Sequence, residues 1–463
     1  ATIMTVAYPQ MHGIIADEWY DPFAAKNVHA TKDDLYSCVG CSNQIDKHSP
    51  SKILASTFSD ELKLSNSNKS KVISVSLLAP NAIMCAGHLA NAAYWMVNTS
   101  GDWVTSSAYT KVLPAWVVDF NKKKFADIYL EETWRPLLSD SAYNESFPDS
   151  NKYEVGIKGK ITFPYDLKIL GKRTDGRRDY NILAYTPFGN EITKDFAISA
   201  IVNENLGKDD YTDFLCINFC VTEIIGSKFG ITSKEIEDIY LRLDRGIEHF
   251  LSFIDSYVGK GNTLVFLTSS SGASYPTKVM KEWNMPTGVF NQYQALILLK
   301  SYLNVLYGNG DWIKFWKNQQ IFINRPLVQD SKIDIKVFQK EIANFLLQFS
   351  GVTQVATASM LQENEYTDAI MKKMQNSYHP KISGDVIYNL APGWTEHDES
   401  LAIHNTSYNY DAHVPLIFYG WKVSRQTIYD AIDIIDIAPT LSSILNIQFP
   451  NACQGKPIEK IIK

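Results

Sequence analysis

Apolar runs and amphipathic stretches alternate along the second half of this chain. Residues 213–219 (Asp-Phe-Leu-Cys-Ile-Asn-Phe) form a short apolar run that predicts a strand. A long amphipathic stretch follows at 234–258, with Ile236, Ile239, Leu243, Ile247, Leu251, Ile254 and Val258 at spacings of three and four. That period predicts a helix with one buried stripe. Gly246 sits in its middle and costs about 1 kcal/mol relative to Ala, so packing must compensate there. Residues 263–268 (Thr-Leu-Val-Phe-Leu-Thr) then make a second apolar run, after the turn residues 259–262 and before Ser269-Ser-Ser-Gly272. A run of this length between turn signals predicts a strand buried on both faces within a parallel sheet, completing a right-handed β-α-β unit.

The first half is less regular. Residues 51–64 carry Ile53, Leu54, Phe58 and Leu62 on one helical face, and 71–78 run apolar like a buried strand. Short strands are predicted at 103–109 and 161–170, amid polar turns. Further helices are predicted at 290–307, 335–349 and 431–445, with a strand at 415–419. The pattern implies an α/β fold: a mainly parallel central sheet flanked by helices, carrying an inserted α+β subdomain. Residues 1–64 begin the core, 65–190 form the insertion and 191–463 complete the core.

Composition narrows the function classes. The 463 residues are 45% apolar, which suffices for a large core, and the net charge of −6 comes from interspersed signs. No run of Lys and Arg marks a nucleic-acid surface. No apolar stretch approaches the ~20 residues that span a bilayer. The chain opens inside what reads as an ordered element, as expected of a processed or trimmed chain. Of six cysteines, Cys38 and Cys41 form a C-x-x-C without the second pair that a zinc ribbon needs, which leaves a local disulfide or two thiols. Asn68, Asn98, Asn144 and Asn405 head glycosylation tripeptides, a pattern short enough to recur by chance.

The strand at 263–268 ends in hydroxyls and a glycine, where an α/β enzyme would place its chemistry. No Gly-x-Ser-x-Gly elbow surrounds Ser269, Ser270 and Ser271, so they read as turn or helix caps. His397, Asp398 and His404 form a loose imidazole and acidic group in a loop.

Several ordered stretches carry a family likeness. They are Pro9-Gln-Met-His-Gly-Ile14, Thr57-Phe-Ser-Asp-Glu-Leu-Lys-Leu64, Ala86-Gly-His-Leu-Ala-Asn91, Tyr240-Leu-Arg-Leu-Asp244, residues 408–420 and residues 436–445. Together they resemble the zinc-dependent alkaline phosphatase superfamily, in particular its flavobacterial secreted phosphomonoesterase branch. The likeness covers nearly the whole chain. It does not extend to the family's first segment, which carries a metal-binding Asp and the nucleophile.

The resemblance implies two zinc ions that clamp the attacking and leaving oxygens of an in-line displacement. One zinc site of the family uses Asp-x-x-x-His plus a late His; at the matching positions stand Glu223, Ser227 and His413. The other uses an Asp-His pair, matched by Ser270 and Ser271. Neutral hydroxyls are poor zinc ligands. The family's Lys and Arg over the phosphate match Leu78 and Pro80, and its Asn near His-Gly-Ile matches Asp17. The expectation is therefore a degraded site, with Glu223 and His413 as residual metal candidates and no cofactor beyond one weakly held metal. It implies a binding or structural subunit with protein partners, outside the cytoplasm, rather than one acting on a small-molecule substrate. The competing expectation is an active zinc-dependent phosphatase or phosphodiesterase whose nucleophile segment is supplied elsewhere.

Overall fold

A computed structural model describes every residue except Ile45, His397, Asn405 and Lys463. Its contacts divide the chain into two compact units. The first comprises Ala1–Ala7, Thr31–Ser270 and Pro415–Lys463; the second comprises Tyr8–Ala30 and Ser271–Val414. Residues 65–190 lie wholly inside the first unit.

The first unit is built on a five-stranded mixed sheet. Its order is Cys38–Val39, Trp103–Ser106, Ala92–Met96, Val72–Ser76 and Phe214–Asn218. The Val72–Ser76 strand runs parallel to both Ala92–Met96 and Phe214–Asn218, while Trp103–Ser106 and Cys38–Val39 add antiparallel. The three strands 72–76, 92–96 and 103–106 are buried along their whole length, as strands covered on both faces are, and the apolar run at 71–78 reflects this. The Pro187–Asn203 helix buries Phe196 against Trp103 at 4.2 Å and Tyr94 at 5.2 Å. Cys38 and Cys41 are bonded to each other.

The long helix spans Lys234–Ile254, capped by the Ser233 hydroxyl, and ends in a wider turn at Asp255–Gly259. Ile236, Ile239 and Ile254 are buried as the period predicts. Leu243, Ile247 and Leu251 stay half-exposed, and Phe250, Phe253, Tyr257 and Val258 complete the contact with the core. A methyl on Gly246 would meet only ordinary contacts, 3.7 Å from Glu191 and 4.0 Å from Lys194.

Three expectations change. The 161–170 stretch holds only a two-residue strand, Tyr165–Asp166, followed by the short Leu167–Leu170 helix. The 263–268 run is a strand, Leu264–Thr268, but it pairs antiparallel with Leu416–Gly420 and with no other strand among the described residues. Its residues are partly exposed rather than buried on both faces. An apolar run announces extended backbone, whereas the number and direction of its neighbours depend on distant sequence. The helix expected from 51 begins only at Phe58 and runs to Ser65. The Thr57 hydroxyl accepts from Asp60 N and the Asp60 carboxylate accepts from Thr57 N, a capping box that sets the start and leaves Leu54 61% exposed.

The second unit has its own core. Ile313–Lys317, Gln320–Ile323, Val386–Leu390 and Val352–Thr357 form an antiparallel sheet in that order. The helices Gln292–Tyr307 and Ile335–Leu346 supply Leu299, Leu303, Phe338 and Ile342 to that core. The early hairpin Glu18–Asp21 with Lys26–His29 joins this unit because Tyr20 stacks on Phe315 at 5.0 Å and Lys317 pairs with Glu18.

Candidate functional site

In the first unit the carboxyl ends of two parallel strands meet two helix starts. Val72–Ser76 leads through Leu77 and Leu78 into the Ala79–Ala86 helix, and Phe214–Asn218 leads through Cys220 into the Val221–Phe229 helix. Such a juncture is where an open α/β sheet places its ligands. Asn218 is its polar centre: its side-chain oxygen accepts from Asn81 Nδ2 at 2.8 Å and from the Ser76 hydroxyl at 3.3 Å. The Ser76 hydroxyl in turn accepts from Leu78 N at 3.2 Å. Sequence reasoning passed over Ser76, Asn81 and Asn218. The available signal was a polar residue ending each of two apolar strands.

Leu78 is the residue before the Ala79–Ala86 helix and packs on the core, and Pro80 lies in its first turn. Neither offers a donor or a charge to an anion. Glu223 and Ser227 stand one turn apart on the Val221–Phe229 helix and so share a face. Glu223 is exposed in the first turn, where a carboxylate also suits the helix dipole. Ser270, exposed, is the last residue of this stretch of the first unit.

Ser271 opens the long stretch of the second unit, which also holds Asp17 and His413. Asp17 is exposed, and its backbone carbonyl accepts from Ala30 N at 2.8 Å beside the early hairpin. His413 follows the short Asn409–Ala412 helix, donates its backbone N–H to the Asn409 carbonyl at 3.0 Å, and is exposed. The structure thus brings together Glu223 with Ser227, and Leu78 with Pro80. Ser270 and Ser271 are neighbours in sequence at the boundary of the two units. His397 and Asn405 lie outside the described residues. Among the described residues, no group of three or more His, Cys, Asp and Glu is arranged to hold a metal ion.

The motifs that carry the family likeness have structural work to do. His12 is buried, its Nδ1 accepts from Ile14 N at 3.1 Å, and burial lowers its pKa to about 3. Gly13, at φ 77°, ends the Pro9–His12 helix in the left-handed conformation that glycine tolerates. Asp60 takes His88 Nδ1 at 2.9 Å together with the backbone N–H groups of Thr57, His88 and Leu89. Asn91 accepts from Val72 N and Lys63 Nζ, both at 2.9 Å, tying the loop to the first parallel strand. The Asp436 carboxylate accepts from Asp433 N at 3.2 Å, in the capping box that opens the last helical segment, and from Lys456 N at 2.9 Å.

Residues 1–401 match the family model described as type I phosphodiesterase / nucleotide pyrophosphatase. The chain is 35% identical over 469 residues to alkaline phosphatase PafA of Elizabethkingia meningoseptica, covering all of this chain and 84% of that protein. It is 33% identical over 468 residues to alkaline phosphatase PhoV of Synechococcus elongatus, covering all of this chain and 83% of that protein. The crystal structure of wild-type alkaline phosphatase PafA superposes with a TM-score of 0.92 at 35% identity, over all of this chain and 88% of that one.

Proposed function

This chain belongs to the type I phosphodiesterase / nucleotide pyrophosphatase family, with alkaline phosphatases among its relatives, and we propose that it has itself given up two-zinc hydrolysis of phosphate esters. On this reading it serves as a binding or structural subunit outside the cytoplasm. The reading rests on the joint substitution pattern at Ser227, Ser270, Ser271, Leu78 and Pro80. A zinc site needs anionic or imidazole donors, and a serine hydroxyl keeps its proton near neutral pH. The donor set does not fit a zinc pair: Glu223 and His413 supply at most two ligands. Phosphate needs charge or forked donors, and Leu78 and Pro80 supply neither.

A second reading has specific support. The relatives that align with the whole chain are named alkaline phosphatases, which favours a working phosphatase or phosphodiesterase acting on phosphate esters. Those names point to small substrates and away from a protein partner. No helix among the described residues is long and apolar enough to cross a membrane.

One experiment separates the two. The purified chain is dialysed against zinc, its metal content is measured, and hydrolysis of an aryl phosphate monoester is followed. The first reading expects less than one zinc per chain and turnover indistinguishable from buffer. Two tightly held zinc ions with zinc-dependent turnover would establish the second.

A further inference from the structure

Beside the long helix of the first unit lies a carboxylate pair that the proposed function does not use. Glu235, in the first turn of Lys234–Ile254, is fully buried, and Glu154, on the loop before the Tyr165–Asp166 strand, is 9% exposed. The Tyr165 hydroxyl donates to Glu235 Oε1 at 2.5 Å. Glu235 Oε2 and both oxygens of Glu154 are buried and accept from no donor among the described residues. The loop itself is docked by backbone: Phe147 N donates to the Thr232 carbonyl at 2.7 Å, and Val155 N to the Lys228 carbonyl at 2.9 Å.

An ionised carboxylate without donors in such a place carries a large desolvation cost. The surrounding charge adds to it. Asp149 of the same loop and Glu235 of the helix both act on Glu154 with like charge. Of the nearby cations, Lys234 pairs with Asp140 at 2.7 Å and acts on Glu235 only as a lesser influence, Lys160 sits 5.6 Å over the Tyr165 ring, and Lys228 sits 5.7 Å over the Tyr185 ring. A carboxylic acid, by contrast, is neutral, and Tyr165, which donates to Glu235, packs its own ring against Trp134 and Phe163.

We propose that the folded first unit holds the Glu154 carboxyl protonated at neutral pH, and that loss of this proton to hydroxide in alkaline solution undocks residues 146–156. The loop is thereby a proton-operated latch on the start of the long helix. Burial, then the charges of Glu235 and Asp149, push Glu154 up from 4.5 to about 9, and burial pushes Glu235 up to about 7. Between 4.5 and 9 the folded chain binds more protons at Glu154 than the unfolded chain does. Stability from this group is therefore complete below 4.5 and falls as pH rises through 9.

The test compares the intact wild-type chain with Glu154→Gln, an isostere of the neutral acid that cannot ionise. From pH 6 to pH 10 the wild-type Tm should fall by about 3 °C or more beyond the fall in the variant. Amide exchange in residues 146–156 should accelerate selectively above pH 8 in the wild type alone. Should the variant fail to fold, infrared spectroscopy of the wild type decides the matter. The carbonyl stretch of a protonated carboxyl should be present at pH 7 and lost toward pH 10. Parallel Tm curves, or no such band at pH 7, would overturn the proposal. So would millimolar calcium that abolishes the wild-type pH dependence, because a metal would then be the neutralising charge.

Discussion

Asp60 and Glu154 are both buried in the first unit, at 2% and 9% exposure, and they meet opposite surroundings. Burial would raise Asp60, but the His88 ring and the N–H groups of Thr57 and Leu89 outweigh it and hold the carboxyl below its usual range. Glu154 accepts from no donor among the described residues, and burial, with the like charges of Glu235 and Asp149, lifts it to about 9. The cost of hiding a carboxylate is set by burial. Whether the group then keeps a charge or a proton is decided by the donors aimed at it.

The largest effect should come from breaking the side of the comparison that is satisfied. Asp60→Ala strips the acceptor from three backbone N–H groups and from His88 Nδ1, in the cap of the Phe58–Ser65 helix. The expected loss is about 3–5 kcal/mol, read by urea denaturation. A loss below about 1 kcal/mol would mean that water replaces the carboxylate freely, and the contrast with Glu154 would collapse.

His88 tests the same hub more gently. Its hydrogen bond to Asp60 raises its pKa above 6.5 despite burial. A raised imidazole stabilises fully below 6.5, and that share is lost as pH rises through the folded value. The lowered Asp60 behaves oppositely, contributing above 3.8 and losing its share as pH falls through its folded value. The hub is thus strongest in mildly acidic solution. His88→Leu should cost about 1.5–3 kcal/mol at pH 5.5 and clearly less at pH 8.5. Equal costs at the two pH values would show that folding leaves the imidazole pKa unshifted.

On the unsatisfied side, Tyr165→Phe removes the side-chain hydrogen bond made to Glu235 Oε1. The cost should grow with pH, because Glu235 ionises near 7 and the hydroxyl matters most to the anion. About 1 kcal/mol at pH 5 and about 1.5–3 at pH 8 are expected, by denaturation at each pH. A flat profile would indicate that Glu235 stays protonated throughout.

What could be read from the sequence follows the same division between local and distant determinants. The strands at 72–76 and 214–218 and the helix at 234–254 announce themselves by composition and period. The true start of the 58–65 helix was also written locally, in Thr57 and Asp60, but the apolar spacing of Ile53 and Leu54 masked it. The antiparallel partner of 264–268 lies about 150 residues away, and nothing in a local pattern selects it. The C-x-x-C left two outcomes open, and folding closes one of them. Glu154 and Glu235 belong to different elements, so their meeting is a tertiary fact. Ser227, Ser270, Ser271, Leu78 and Pro80 could be singled out only through resemblance, since hydroxyl and apolar side chains carry no chemical signal of their own.

A third carboxylate, Glu223, completes the series and should give the smallest effect. It is exposed in the first turn of the Val221–Phe229 helix, so water solvates its charge and the helix dipole favours it slightly. Glu223→Ala should cost no more than about 0.5 kcal/mol in metal-free buffer. The informative arm repeats the measurement with zinc. If Glu223 is a remnant without enough companions, zinc adds little to the stability of either chain, because a weak ligand pair captures little metal. If zinc instead raises the wild-type Tm and leaves the variant unchanged, Glu223 is a working ligand. The serines at 227, 270 and 271 would then have replacements elsewhere, and the reading of this chain as an active phosphatase would take the place of the first.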